Sequence, residues 1–154
     1  MARAKHWESY AKHKWGDEAP KFYPTKDEKG VIDRVVNAAS AVSGVSQGCI
    51  VGRSRVPEIC DIRFIVYYIT KQKTPNCSIA KVGRLFGRDH GTILNGLKKV
   101  QSRQQGNETA FREFRKLHAR IKRKYDEYEN NPERMVQELG LHDGRQGDDL
   151  PTEA

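Results

Sequence analysis

The sequence predicts an all-α fold, and three observations carry that reading. Apolar residues recur at three- and four-residue spacings through successive segments, the signature of helices that bury one face. Near residue 87 one such segment stops at a glycine, turns within two residues and restarts on an acidic residue, the outline of a helix-turn-helix. The segment from Pro57 to Lys71 is rich enough in β-branched residues to permit a strand. It exceeds ordinary strand length, and so reads as a helix.

The elements follow in order. Residues 1–16 are basic and aromatic, and Trp7, Tyr10, Ala11 and Trp15 share one side of a short helix, either a hook on the core or a partner-binding helix. Asp17 to Pro24 reads as a linker broken by Pro20 and Pro24. Thr25-Lys26-Asp27-Glu28 has capping-box spacing, so a helix starts there, runs to about Val42 over Ile32, Val35, Val36 and Ala39, and ends near Gly44. Residues 45–52 hold a short helical turn, and Arg53-Ser54-Arg55 forms a basic loop. Pro57 suits a helix start, and the run to Lys71 is apolar nearly all round, which marks a central core helix broken by Thr74-Pro75-Asn76.

The helix-turn-helix spans Ser78 to about Arg103, with Gly83 allowing two helices to approach and Gly87 supporting the turn. Asn107 caps a long helix to about Tyr128. Its stripe of Phe111, Phe114, His118, Ile121, Tyr125 and Tyr128 either packs on the core or forms a weak zipper, which leaves a homodimer through residues 107–128 open. Asn131-Pro132 opens a last helix with Met135, Val136 and Leu139. This gives an arm and linker over 1–24, the helix-turn-helix domain over 25–105, C-terminal helices over 106–140 and an acidic, disordered tail over 141–154.

Charge adds a partner class. The chain carries a net +8, and by segment the balance is +2 for residues 1–30, +8 for 31–105 and −2 for 106–154. The excess sits on the helix-turn-helix segment and favours a polyanion over a merely solvated face. Cys49, Cys60 and Cys77 form an odd set without metal-ligand spacing, which reads as buried thiols in a reducing cytosol rather than a disulfide framework. The first thirty residues lack the apolar run of a signal peptide, and no stretch approaches transmembrane length.

At the second helix of the motif, Ile93, Leu97 and Val100 fall on the buried face with Leu94 at its edge. Gly91, Asn95, Lys98, Lys99 and Ser102 point outward. Asparagine can grip adenine with both amide atoms, and lysines suit phosphate oxygens. Asp89 is the N-cap or an acceptor for a cytosine amino group, and His90 can reach a base edge or a phosphate.

The run Val82-Gly83-Arg84-Leu85-Phe86-Gly87-Arg88-Asp89-His90-Gly91-Thr92-Ile93-Leu94 resembles the signature of the C-terminal DNA-binding domain of the bacterial replication initiator DnaA, and the resemblance extends from about Val31 to Arg103. It implies the helix-turn-helix fold of that domain, of Trp-repressor-like type, here with an added long C-terminal helix. It further implies that Arg53 enters a narrow A·T-rich minor groove while Arg55 lies in the same basic loop. Asp89, His90, Gly91 and Asn95 then read bases with Arg53, and Arg55, Arg63, Lys71, Arg88, Thr92, Lys98 and Lys99 hold phosphates. Three departures bear on specificity: one glycine replaces the family's pair before Arg88, Gly91 stands where the family has Ser or Thr, and Asn95 stands where a histidine is common. The stretch from Arg55 to Arg63 is also slightly longer.

The family's ATPase module has no counterpart here. Gly48-Cys49-Ile50-Val51-Gly52 is the nearest glycine pair and no lysine follows, so no nucleotide and no other cofactor is expected. The resulting expectation is a non-enzymatic protein of the bacterial or phage cytoplasm, associated with the nucleoid. It binds double-stranded DNA and no membrane, and acts in replication initiation, its regulation or transcription control. The alternative is a basic architectural or RNA-binding protein that uses the arginine-rich C-terminal helix. A nuclease built on Asp89 and His90 lacks a second carboxylate and any nucleophile–base pair.

Overall fold

The computed structural model describes residues 25–105 and 109–139, and all their regular structure is helical. In chain order the helices are α1 (Lys26–Ser43), α2 (Gln47–Val51), α3 (Pro57–Lys73), α4 (Ile79–Phe86), α5 (His90–Gln105), a 3₁₀ turn (Thr109–Phe111), α6 (Arg112–Asn130) and α7 (Pro132–Leu139). The aromatic arm, the linker, Asn107 and the acidic tail lie outside the described residues. Two compact units divide the rest: residues 25–33 with 63–105, and residues 34–62 with 109–139.

In the first unit the capping box at the start of α1 forms as its spacing predicts. Thr25 N donates to Glu28 Oε1 at 2.8 Å and Glu28 N to Thr25 Oγ1 at 3.2 Å. Glu28 has a second task that the sequence does not announce. Its carboxylate pairs with Lys81 Nζ at 3.0 Å and accepts from Cys77 Sγ at 3.0 Å, which clamps the first turn of α1 to the first turn of α4. Both partners help hold the Glu28 carboxyl below its usual value against the opposing effect of burial. The Cys77 thiol is pushed up, first by burial and then by its bond to Glu28. Of the three cysteines only Cys77 is buried; Cys60 is half-buried and Cys49 exposed, which corrects the expectation for the set.

Helix α3 is a helix and not a strand, and in this unit it supplies Ile65, Val66, Tyr67 and Ile69, each at most 1 % exposed. It ends where Thr74 folds back and donates Oγ1 and N to the Thr70 carbonyl at 2.7 and 3.0 Å. Val82, Phe86, Ile93 and Val100 complete this core, and the Phe86 ring meets Tyr67 at 5.0 Å between centroids. Val31 is buried whereas Ile32, expected on the buried face, is only half-buried.

The second unit contains the rest of α1 with Val35, Val36, Ala38 and Ala39 buried, and the long helix α6. Phe114, His118, Ile121, Tyr125 and Tyr128 form its buried stripe, while Phe111 is only half-buried. The helix begins at Arg112, behind a 3₁₀ turn and without a side-chain cap. The Arg34 guanidinium lies 5.7 Å from the Tyr125 ring centroid, and Asn37 Nδ2 donates to Met135 Sδ at 3.6 Å. The α6–α7 corner closes around Glu138, which accepts from Arg134 Nε at 2.7 Å, Tyr128 OH at 3.0 Å and Lys124 Nζ at 3.1 Å. These three donors, Arg134 first, lower the Glu138 carboxyl to about 2.

Candidate nucleic-acid interface

The turn between α4 and α5 follows from local backbone chemistry. Ser78 caps α4 by accepting from Lys81 N at 3.1 Å, and Gly87 ends it in the left-handed region at φ 66° and ψ 33°. Arg88 N then donates to Gly83 O at 2.7 Å and Gly87 N to Arg84 O at 3.2 Å. This pair of bonds is the Schellman arrangement, and it needs only one left-handed residue. The single glycine before Arg88 is therefore sufficient.

Gly83 is required for a different reason from the expected helix-to-helix approach. A Cβ there would stand 2.6 Å from the Arg88 carbonyl oxygen, so it is the turn itself that closes onto α4. Helix α5 starts two residues later. Asp89 Oδ1 accepts from Thr92 N at 3.1 Å and from the Thr92 hydroxyl, which makes it the N-cap. Those bonds, the hydroxyl first, lower its carboxyl from the usual range, and it stays ionised at neutral pH.

The structure brings most of the expected contact residues together on one element. Asp89, His90, Gly91, Thr92, Asn95, Lys98 and Lys99 are all exposed along the turn and α5, and Arg88 is half-buried beside them. Ile93 and Val100 face inward at 0 % exposure, whereas Leu97, expected among them, is only half-buried like Leu94. Near Gly91 the closest atom to a hypothetical Cβ is Asp89 Oδ2 at 3.9 Å, so the position has room for a side chain. The amides of His90 and Gly91 open the helix, where backbone geometry provides no intrahelical acceptor and a partial positive charge favours anions.

Several assignments change in detail. Both donors of Thr92 are committed to Asp89, so a phosphate reaches its hydroxyl only in competition with the cap. Arg63 is 7 % exposed, buried within α3, and is not laid out as a phosphate-holding arm. Lys71 is half-buried on the last turn of α3 and donates to the Pro75 carbonyl at 3.4 Å. Lys99 Nζ stands 5.3 Å from the centroid of the Phe64 ring, which steadies the ammonium at the surface.

Gly96 is the residue that sequence reasoning missed. It is buried on α5, and a Cβ there would meet Phe64 Cδ1 at 2.9 Å and Tyr67 Cδ2 at 3.1 Å. Its missing side chain lets α5 lie close on the rings of α3. A glycine inside an otherwise apolar helical period was the available signal.

In the other unit, Arg53 and Arg55 are exposed on the loop between α2 and α3. Ser46 caps α2 by accepting from Cys49 N at 3.2 Å. Ser54 Oγ accepts from Val56 N at 3.2 Å, and the Ser54 carbonyl accepts from Cys60 Sγ at 3.5 Å. These bonds fix the backbone between the two arginines. Val51 and Val56, 38 % and 48 % exposed, flank the same loop. Among the described residues no group of three or more His, Cys, Asp or Glu could hold a metal ion, and no helix is long and apolar enough to cross a membrane.

Comparison with known proteins converges on the same segment. Residues 32–100 match the family model described as the bacterial dnaA protein helix-turn-helix. The chain is similar to the chromosomal replication initiator protein DnaA of Thermodesulfovibrio yellowstonii, 30 % identical over 90 residues that cover 58 % of this chain and 20 % of that protein. It is similar to the DnaA protein of Cereibacter sphaeroides, 32 % identical over 76 residues covering 49 % and 16 %, and to that of Limosilactobacillus reuteri, 30 % identical over 79 residues covering 51 % and 18 %. The matched segment thus spans no more than a fifth of these relatives. No solved structure matches.

Proposed function

From residues 32–100 as a helix-turn-helix domain of the DnaA C-terminal type, we propose that the chain binds double-stranded DNA in a sequence-specific manner. Its context is replication initiation, the regulation of initiation, or transcription control. The observation that carries the reading is the exposed leading turn of α5, where Asp89 caps the helix and His90, Gly91 and Asn95 face outward together. That turn enters the major groove, where Asn95 and His90 meet base edges. Lys98, Lys99 and Arg88 engage phosphates and set the register. The Arg53-Ser54-Arg55 loop, with its backbone fixed by Ser54, delivers Arg53 to a narrow minor groove and Arg55 to its phosphate wall. No catalytic step is assigned to these residues; they recognise and hold.

Selection of bound sites from a random duplex pool at fixed salt tests this directly. The expected result is one enriched sequence, bound over a scrambled duplex by on the order of 10³ or more. His90→Ala and Arg53→Ala should erode that preference, while Lys99→Ala weakens all duplexes by a similar factor. Equal binding of the selected and scrambled duplexes by the parent protein overturns the reading.

A further inference from the structure

The first three turns of α6 carry a strongly charged face that the helix-turn-helix does not use. Taking 100° per residue, the buried stripe of Phe114, His118, Ile121, Tyr125 and Tyr128 centres on one side of the helix, and Arg112, Lys116 and Arg123 lie opposite it. Arg120 stands about 60° to one side of this line and Lys122 about 100° to the other, nearer the buried stripe, and all five cations are exposed. On this face Lys116 pairs with Glu113 at 3.6 Å, with both side chains open to solvent. Lys124, by contrast, is half-buried and engaged by Glu127 and Glu138. Ala119, on the same side, interposes no bulk. From Arg112 to Arg123 the stripe extends roughly 16 Å along the axis.

This arrangement is unfavourable for the helix that carries it. Like charges stand at i and i+4 in Arg112–Lys116 and Lys116–Arg120, where they repel. The charge gradient also runs against the helix dipole: cations fill the N-terminal part, while the last turn holds Glu127 and Glu129 and no basic residue. A solvated face chosen for helix stability would interleave the signs or reverse the gradient. A helix that keeps repelling cations on its outer face is suited to a polyanion.

We infer that the exposed face of α6 is a second, sequence-independent contact for the phosphate backbone of duplex DNA. The identity of the polyanion rests on the reading above; the existence of the site rests on α6 alone. Such contacts release counterions, so they add to affinity and to salt dependence without adding to sequence preference.

The test compares the full chain with the variant Arg112→Gln, Lys116→Gln, Arg120→Gln, Arg123→Gln, and with a charge-keeping control Arg112→Lys, Arg120→Lys, Arg123→Lys. Circular dichroism should show both folded, since every altered side chain is exposed. For the glutamine variant, the slope of log affinity against log salt should fall by about 3 to 4, and affinity should drop at least about tenfold on selected and scrambled duplexes alike. The ratio between the two duplexes should stay at the parent's value, and the lysine variant should bind like the parent. Unchanged affinity and slope on duplexes overturn the inference. So does a loss confined to single-stranded RNA, which would assign the face to that partner. A parent that fails to distinguish the two duplexes is a separate result: it defeats the recognition reading and leaves the α6 comparison intact.

Discussion

Replacing Gly83 by alanine tests whether the turn is held by backbone contact. An added Cβ would sit 2.6 Å from the Arg88 carbonyl oxygen and 3.5 Å from the carbonyl carbons of Arg88 and Asp89. All three are backbone atoms, so no flexible side chain can yield. Relief requires the Arg88 peptide to move, which stretches the 2.7 Å bond from Arg88 N to Gly83 O and displaces the Asp89 cap. Overpacking costs about 1–3 kcal/mol and a weakened hydrogen bond about 1 kcal/mol, against about 1 kcal/mol gained from the helix preference of alanine. The net expectation is a loss of about 1–3 kcal/mol in urea denaturation, with duplex affinity falling as well because the leading turn of α5 shifts. Gly48→Ala is the matched control. Its Cβ meets nothing within 4 Å, and the same substitution there should stabilise by up to about 1 kcal/mol. If Gly83→Ala unfolds at the parent's denaturant concentration or higher, close approach of the turn is not what fixes the glycine.

Three further outcomes follow from the electrostatics. Glu138 is depressed to about 2, so its stabilisation is present above the ordinary carboxylate value of 4.5 and is lost as pH falls through its folded value. Acid titration followed by circular dichroism should show loosening in that window for the parent, and a flatter curve for Glu138→Gln. His118 is lowered chiefly by burial and then by Lys122, so it is neutral in the fold; its contribution is present above 6.5 and lost as pH falls through the lowered value. His118→Phe should reduce the change in melting temperature between pH 7 and pH 5. At the cap, Asp89→Asn should keep most of the stability that Asp89→Ala loses, because asparagine accepts from Thr92 N equally well. Thermal melts of the two variants separate capping from any charge requirement in DNA binding.

What could be read in the sequence was whatever local chemistry determines. The capping box at Thr25 and Glu28, Pro57 at a helix start and the left-handed Gly87 each act within a few residues of themselves, and each forms where its spacing predicts. The periodicity of α6 identified its buried stripe for the same reason. Contacts between distant residues were not legible. Nothing in the spacing of Glu28, Cys77 and Lys81 announces a clamp across some fifty positions, and the Phe64 and Tyr67 rings that require Gly96 lie about thirty residues from it in the chain. The assignments for Arg63 and Thr92 rested on resemblance, which transfers a position but not the burial of a side chain or the prior engagement of a hydroxyl.

The way α5 is seated separates two kinds of evolutionary freedom. Ile93, Gly96 and Val100 bind the helix to its support, whereas Gly91, Asn95 and Lys98 project from it, are exposed, and take no part in that packing. Substitutions on the projecting side therefore leave the seat undisturbed. The projecting positions can therefore change one residue at a time at little thermodynamic penalty, much as a tool accepts new bits in an unchanged handle.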